Sequence, residues 1–594
     1  MAMPGAGEVQ GITRLRQFLS LKALSGLALA IGVFHALWFI GVTFRTRFDV
    51  PAWDLWEFMI WWAERESVWR AIYQQYEHHR MVVVGSMVYM DQMLFGGSYL
   101  SVYLVTTGAT VGLSAWALRH IARGMVDRTL FAFTAAAFLT GVFSLVSSEG
   151  YLHGFRAWIP LTLVLAALVV AAFAAARVAE TSEARRRYLV LAILLAIADN
   201  YTGAPGLLIW PVLVVMAVVN RAGWRTLVVV LVVGGLTVAA FLHGFAHFQQ
   251  GGGGFANALY PFRLFLSLIQ FIGSPVSHSF FIDPFSRISL EFGMLAGFVG
   301  LVAFAWIGVR ALLKPPGDAV EIAVLGYLVF AFGWTVAASI KHQPAPPAPW
   351  QPIFKSSDFM VAMTMWSALF VAVALWLAKR DAPRLRALFG LVALGFTVLF
   401  VPLQLQLWPN SERQQQEVRL GGIGYASEVM ENGYNTHGFL HSRWRPHNAV
   451  VITSFQRQGQ VRALFRRLAI PPLDHPAARS VGLNFIDAFG PPVENACDGD
   501  VRGRHGVIEG QRLWGKLKLA ALGDDVRLVF VDRRLRIVGV GERFDQFKMR
   551  MPLDIPGYPD TDGWIGYARA GKAAFLAAVA VDAAGRQICR IPQY

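Results

Sequence analysis

Apolar runs of about 20 residues recur along the first 408 positions, and nothing else in the chain constrains its fold so strongly, because that is the length a helix needs to cross the hydrocarbon core of a bilayer. Residues 23–44, 98–117, 129–147, 157–178, 224–242, 289–311, 318–340, 358–378 and 386–407 are such runs. Residues 187–219 form a longer apolar stretch interrupted by Asp199-Asn200-Tyr201-Thr202-Gly203-Ala204-Pro205, which predicts two short helices broken at a polar turn. The total is about eleven spans. Composition agrees: 55% of the residues are hydrophobic and 15% charged, which excludes a set of ordinary soluble domains. The first run is about 22 residues long and has no small-residue cleavage site, so it reads as an anchor and not as a signal peptide.

Flanking cations fix the expected orientation, since Lys and Arg beside spans stay cytoplasmic. Arg14, Arg16 and Lys22 precede the first span; Arg119, Arg123 and Arg128, then Arg185, Arg186 and Arg187, then Arg221 and Arg225, Arg310 and Lys314, and Lys379, Arg380, Arg384 and Arg386 fall in connections on that same side. The opposite connections hold Asp54, Glu57, Glu77, His78, His79, Glu149, His153, Asp199, His243, His342 and Asp358. The predicted arrangement is a multi-pass plasma-membrane protein with a cytoplasmic N-terminus and its ionisable residues on the exterior face. The net charge of +15 is accounted for by the cytoplasmic connections, so nucleic acid is not an expected partner.

Three segments follow: a membrane core over residues 1–408, a mixed linker and α/β segment over 409–490, and an exported, mostly β domain over 491–594. Arg527-Leu-Val-Phe-Val-Asp532 and Leu535-Arg-Ile-Val-Gly-Val-Gly541 are short β-type runs, and Leu576 to Cys589 reads as strand, turn around Gly585, strand. A sandwich-like fold is expected. Cys497 and Cys589 are the only cysteines, and both fall on the side expected to be oxidising, so a disulfide between them is expected.

The segment Phe48-Asp-Val-Pro-Ala-Trp-Asp-Leu-Trp-Glu-Phe58 leaves the first span directly and places Asp54 and Glu57 at the membrane surface. A carboxylate there can act as general base for a hydroxyl or as ligand to a divalent cation such as Mg2+ or Mn2+; the alternative is a solvated loop acid beside interfacial tryptophans. Glu77-His78-His79-Arg80 then leads into an apolar stretch of about 15 residues, short for a span and suited to an interfacial helix. Arg80 is chemically fit to hold a phosphate, with His78 or His79 as further donors, although snorkelling side chains at an interface would read the same way.

Val50-Pro-Ala-Trp-Asp-Leu-Trp56, Glu77-His-His-Arg80 and Phe95-Gly-Gly97, together with Glu149-Gly-Tyr-Leu-His-Gly-Phe-Arg156 and Tyr201-Thr-Gly-Ala-Pro-Gly-Leu-Leu-Ile-Trp-Pro211, resemble the motifs of bacterial polytopic glycosyltransferases of the GT-C type. In that family a proline-aromatic-Asp-x-Trp loop is followed by an Asn-Glu-His-Arg box and a Gly-Gly turn. The exported domain, with Gly563-Trp564 and a terminal cysteine, is similar to the small β-domains that follow such cores. Glu-His-His-Arg departs from the box, so only His79 and Arg80 carry over; where relatives show Arg-Tyr, this chain has Asp358-Phe359 preceded by Lys355.

The resemblance implies transfer of a sugar, with inversion, from a polyprenyl-phosphate donor to a glycan or glycolipid acceptor at the exterior face of a bacterial inner membrane. It assigns Asp54 as general base, with or without a metal ion, and Arg80, His79 and Lys355 as contacts for the departing phosphate. Glu57, Glu77, His78, Glu149, His153, Arg156 and Asp199 are secondary candidates. Two other classes stay open. A transporter or flippase would use the break at Asp199, and a non-enzymatic assembly protein would use the exported domain to bind glycan.

Overall fold

The structure is a computed structural model that describes residues 20–48, 55, 58–59, 62, 67–74, 79–145, 149–152, 154–245, 260–279, 287–341, 356–427, 463–467, 473–501, 503–507, 510–517, 525–544, 563–569 and 577–591. The helices are α1 (Leu21–Thr46), α2 (Val68–Tyr73), α3 (Val82–Phe95), α4 (Leu100–Gly124), α5 (Arg128–Val142), α6 (Glu149–Leu152), α7 (Trp158–Val178), α8 (Ser182–Asn200), α9 (Ile209–Val219), α10 (Trp224–Leu242), α11 (Pro261–Ser279), α12 (Arg287–Leu313), α13 (Ala319–Lys341), α14 (Ser356–Ala378), α15 (Pro383–Leu399), α16 (Val401–Ala426), α17 (Pro476–Arg479) and α18 (Phe485–Phe489).

Among the described residues eight helical stretches are long and apolar enough to cross a bilayer: Leu21–Thr46, Leu100–Gly124, Trp158–Val178, Trp224–Leu242, Ile288–Leu313, Ala319–Ile340, Phe359–Ala378 and Pro383–Trp408. The sequence leads to about eleven, and the difference has a local cause. Helix α5 covers only 15 residues, because Asp127 caps its start through Thr129 and Leu130 and Phe143 leaves helical geometry. Helix α8 opens on Ser182-Glu183-Ala184-Arg185-Arg186-Arg187, so its apolar part is short. The break after Asn200 is as expected: a 3-10 turn over Ala204–Leu208 separates α8 from α9. Helix α16 runs without interruption across residue 409 and carries the chain out of the bundle.

Small residues let two helices touch backbone to backbone. A Cβ at Gly297 of α12 would lie 1.8 Å from the Ile269 carbonyl oxygen of α11, and one at Gly273 would lie 1.7 Å from the Gly293 carbonyl oxygen. Because rising positions on α12 meet falling positions on α11, the pair is antiparallel. Close approach through glycine is how helices associate where apolar burial alone gives no preference for a neighbour.

Cations collect at one end of the bundle. There Lys379 reaches Asp318 and Glu321 at 3.1 and 2.8 Å, Arg386 reaches Asp127 at 3.5 Å, and Arg177 donates to the Asn220 carbonyl. At the opposite, domain end, α16 docks on the C-terminal domain, where the Ser427 hydroxyl bonds the backbone of Val540.

The domain holds strands β1 (Gly503–Val507), β2 (Gly510–Lys516), β3 (Arg527–Val531), β4 (Ile537–Phe544), β5 (Gly563–Ala568), β6 (Ala577–Val581) and β7 (Gln587–Ile591). The strands read from the sequence around Arg527, Ile537, Ala577 and Gln587 are present, and Gly585 turns with φ of +81°. The sandwich is not: these strands form one antiparallel sheet in the order β1-β2-β5-β4-β3-β6-β7, curled toward a half-barrel. The reason is edge pairing. Strand β2 bonds β5 from Gln511↔Ala568 to Lys516↔Gly563, so the first hairpin extends the sheet instead of stacking on it. One face, with Val529, Val540, Ile565, Tyr567 and Val579, packs on Phe465, Leu473, Ala477 and Phe485; the other, with Leu513, Leu528, Phe530, Trp564 and Ile591, forms a second core. Phe530 lies over Gly541 and Gly566, filling the space two missing side chains leave on a bent sheet. The expected disulfide is present: Cys497 and Cys589 are bonded, with Cα atoms 5.1 Å apart.

His475 anchors this domain as a neutral ring. Its Nε2–H donates to the Asp525 carbonyl at 3.0 Å, while Nδ1 accepts the Ala477 amide at 3.1 Å and caps α17. Burial, then the nearby Arg527, holds its pKa down to about 4 from the ordinary 6.5. As pH falls from about 6.5 toward 4 the unfolded chain takes up a proton that the folded domain refuses, so stability falls across that window and levels off below it. The expected loss is about 3 kcal/mol. Melting temperatures of the full chain between pH 7 and 4 measure it, and His475→Asn, which keeps a capping oxygen without a titrating ring, should flatten the slope; an unchanged slope would remove His475 as its source.

Candidate functional site

Several candidate segments converge at the domain end. Immediately before α3, His79 and Arg80 dock on two other parts of the bundle. His79 Nδ1 accepts the Ala204 amide at 3.0 Å, at the start of the 3-10 turn, and its ring lies 4.6 Å from the Trp158 ring. With Nδ1 accepting, the neutral ring carries its proton on Nε2. The Val83 amide bonds the Tyr201 carbonyl at 3.2 Å, so the start of α3 is sewn to the turn after α8.

Arg80 is 4% exposed. Its Nε donates to the Phe241 carbonyl at 2.7 Å, Nη1 to the Tyr73 carbonyl at 2.9 Å and Nη2 to the His243 carbonyl at 2.5 Å. The guanidinium carbon sits 4.5 Å from the Tyr73 ring centroid and 5.7 Å from that of Phe245. Carbonyls at a helix C-terminus lack partners within the helix and carry its negative dipole end, so a buried cation at the end of α10 is doubly favoured. Arg80 therefore clamps α2 and α10 together, and three of its five N–H groups are committed to that clamp.

Asp199 and Asn200 lie at the helix break, both fully buried. The Asn200 Oδ1 accepts from Trp210 Nε1 at 3.2 Å. Neither carboxylate oxygen of Asp199 has a hydrogen-bond partner among the described residues, nor does Asn200 Nδ2. The turn leaves no slack, since a Cβ at Gly206 would lie 2.0 Å from the Asp199 carbonyl oxygen. Trp158 stacks on Trp334 at 5.9 Å on one side and meets His79 on the other, forming an aromatic wall beside the turn.

The exit of the first span is pinned to the same end. Phe48, six residues before Asp54, bonds the Leu152 carbonyl of α6 through its amide at 3.1 Å, and Gly154 lies against the Tyr99 ring. Arg156 follows in a 3-10 turn over Phe155–Ala157 that leads into α7. The position of Glu149 is the start of α6. Asp54, Glu57, Glu77, His78, His153 and Lys355 lie outside the described residues, as does the Glu149 side chain. Among the described residues no three His, Cys, Asp or Glu side chains come together as a metal site.

Four further residues belong to this end without being site candidates in the sequence. Asp91 is fully buried and accepts the Tyr99 and Ser101 amides at 2.7 and 3.0 Å and the Ser101 hydroxyl at 2.5 Å, so it caps α4 from a distance. The acid inside an otherwise apolar run, followed by Gly96-Gly97 and two serines, was its signal. Tyr73 and Tyr201 pair at 6.4 Å beside Arg80. The His278 ring lies 4.2 Å from that of Phe359, bringing the end of α11 to the start of α14 beside Asp358; the Ser274, Ser277, His278 pattern was its signal.

Compared with known proteins, the chain matches no family model, no curated protein and no solved structure.

Proposed function

We propose that this chain is a membrane glycosyltransferase that moves a sugar from a polyprenyl-phosphate donor to a glycan or glycolipid acceptor at its domain end, with about eleven spans, a cytoplasmic N-terminus and the domain outside a bacterial inner membrane. The observation that carries the reading is convergence. The segments bearing the motifs at Val50–Trp56, Glu77–Arg80, Glu149–Arg156 and Tyr201–Pro211 lead to anchor points joined to one another at a single end of the bundle: Phe48 to Leu152, His79 to Ala204 and Trp158, Val83 to Tyr201. The disulfide in the C-terminal domain supports an oxidising compartment on that side.

In this mechanism the acceptor hydroxyl attacks the anomeric carbon, the bond from that carbon to the phosphate oxygen breaks, and the electron pair leaves with the phosphate. The hydroxyl proton passes to Asp54, and attack opposite the leaving group inverts the centre. His79 and Arg80 are the groups assigned to the departing phosphate, Arg80 acting through the wall it holds, with two N–H groups left over for an anion by count of its donors. Should a divalent cation take part, its ligands would come from Asp54 and Glu57. Asp54→Asn is expected to abolish sugar transfer while leaving insertion and melting temperature unchanged. Turnover retained by the purified variant would remove Asp54 from the chemistry.

One observation favours a transporter as second reading. Asp199 is a buried carboxyl group without a hydrogen-bond partner among the described residues, at a helix break, the arrangement that carriers use for coupling ions. Substrate uptake into proteoliposomes with no covalent product would decide for it.

A further inference from the structure

A cavity lies in the body of the bundle, away from the convergent loops. It encloses about 240 Å³ between α4, α5, α7, α13 and α14, and its wall is almost wholly apolar, with Ala167, Ala171, Ala175, Ala323 and Ala368 keeping it open. Along α7 it extends from Pro160 to Ala175, about 22 Å at helical rise, against about 15 Å for the apolar depth of one leaflet. The space is long and narrow, and the hydroxyls of Thr110, Thr364 and Ser367 along it already donate to backbone carbonyls, which suits a hydrocarbon chain and not a polar solute.

Its two ends differ. Toward the domain end it is closed by Tyr151 and Met360, which are 6% and 2% exposed, with the Tyr151 hydroxyl bonded to Thr110 at 3.1 Å. Toward the cationic end it is bounded by Trp116, 44% exposed, and by His120, whose Nδ1 bonds the Trp116 carbonyl at 2.9 Å. Arg119 and Arg123 stand beside His120 on the last turns of α4, both exposed and neither joined to a carboxylate among the described residues. The acids around the opening are already neutralised: Asp318 and Glu321 by Lys379, Asp127 by Arg386. The opening is thus apolar within and cationic at the rim.

We propose that this slot holds one acyl chain of an anionic glycerophospholipid from the leaflet at the cationic end, with its phosphate against Arg119 and Arg123. On the orientation proposed above, that leaflet is the cytoplasmic one. The lipid is a resident ligand, separate from any sugar donor at the domain end, and its binding does not depend on sugar transfer.

The full chain, purified in mild detergent and examined by native mass spectrometry with lipid extraction, is expected to carry one phospholipid, with phosphatidylglycerol enriched about tenfold over zwitterionic lipid relative to the source membrane. Ala167→Phe, which fills the slot, should remove the bound lipid. The pair Arg119→Gln and Arg123→Gln should keep a lipid but abolish the anionic enrichment. As a measurement independent of any variant, phosphatidylglycerol bearing a photoreactive acyl chain, in nanodiscs of phosphatidylcholine, should label peptides from Thr110–Ile121 and Ala167–Ala175. Wild-type protein free of lipid, a bound lipid retained by folded Ala167→Phe, a polyprenyl phosphate in place of the phospholipid, or labelling confined to the outer surfaces of the spans would each overturn the proposal.

Discussion

Arg80→Ala is expected to lose the fold of the domain end before any effect on donor binding can be read. The substitution leaves the carbonyls of Phe241, His243 and Tyr73 without their donor, inside a site where Arg80 itself is 4% exposed. An orphaned buried polar group costs about 1–3 kcal/mol, and breaking a buried charged contact about 3–5 kcal/mol, so the total is about 3–5 kcal/mol, a large share of the stability of any domain. Arg80→Lys can restore at most part of the clamp, because an ammonium lacks the planar fork that reaches three acceptors at once. Detergent-solubilised variant that is aggregated, or cleaved by protease between Tyr73 and Phe245, is the expected result. A monodisperse Arg80→Ala protein that keeps its melting temperature and loses only donor affinity would return Arg80 to the role of a simple phosphate contact.

Reduction of Cys497–Cys589 is the second large effect. The bond ties β7 to the segment before β1 across a separation of 92 residues. Closing a loop of that length restricts the unfolded chain by about 4–5 kcal/mol in the chain-entropy account. Cys589→Ala, or treatment with a membrane-impermeant reductant, is therefore expected to lower the melting transition of the C-terminal domain while leaving that of the helical bundle in place. The same experiment reads topology: in intact cells the thiols should react with an impermeant maleimide only after reduction. Labelling that requires permeabilised cells would put the domain on the other side of the membrane and withdraw the orientation on which the proposed function stands.

The two sets of residues were both conspicuous in the sequence, but only the cysteines also showed their partner there. Arg80 stood out beside the Glu77-His78-His79 run, yet chemistry alone could equally have given it a phosphate. What it holds is backbone, and a carbonyl is present at every residue, so no side-chain pattern marks the acceptor. The disulfide was legible because only two cysteines exist and both were expected in one compartment. Asp199 was legible as a helix break, since a polar run inside an apolar stretch cannot continue as a plain span; that its side chain has no hydrogen-bond partner among the described residues was not. Asp91 went the other way, a buried acid satisfied by three donors at the start of the next helix.

The sequence by itself determined eight of the roughly eleven spans it leads to, the broken helix at Asn200, the positions of four strands and the cysteine pair, because each depends on lengths and periods that one segment carries alone: the thickness of hydrocarbon, the alternation of a strand, a turn at Gly585. Only the tertiary structure decided which helix meets which, how the sheet closes and what the buried charges touch. Spans that are apolar on every side look the same toward lipid as toward protein, so their neighbours are chosen by local shape, as where Gly273, Gly293 and Gly297 allow two backbones to touch. The single sheet was decided in the same way, by backbone bonds between β2 and β5 that leave no trace in the order of side chains.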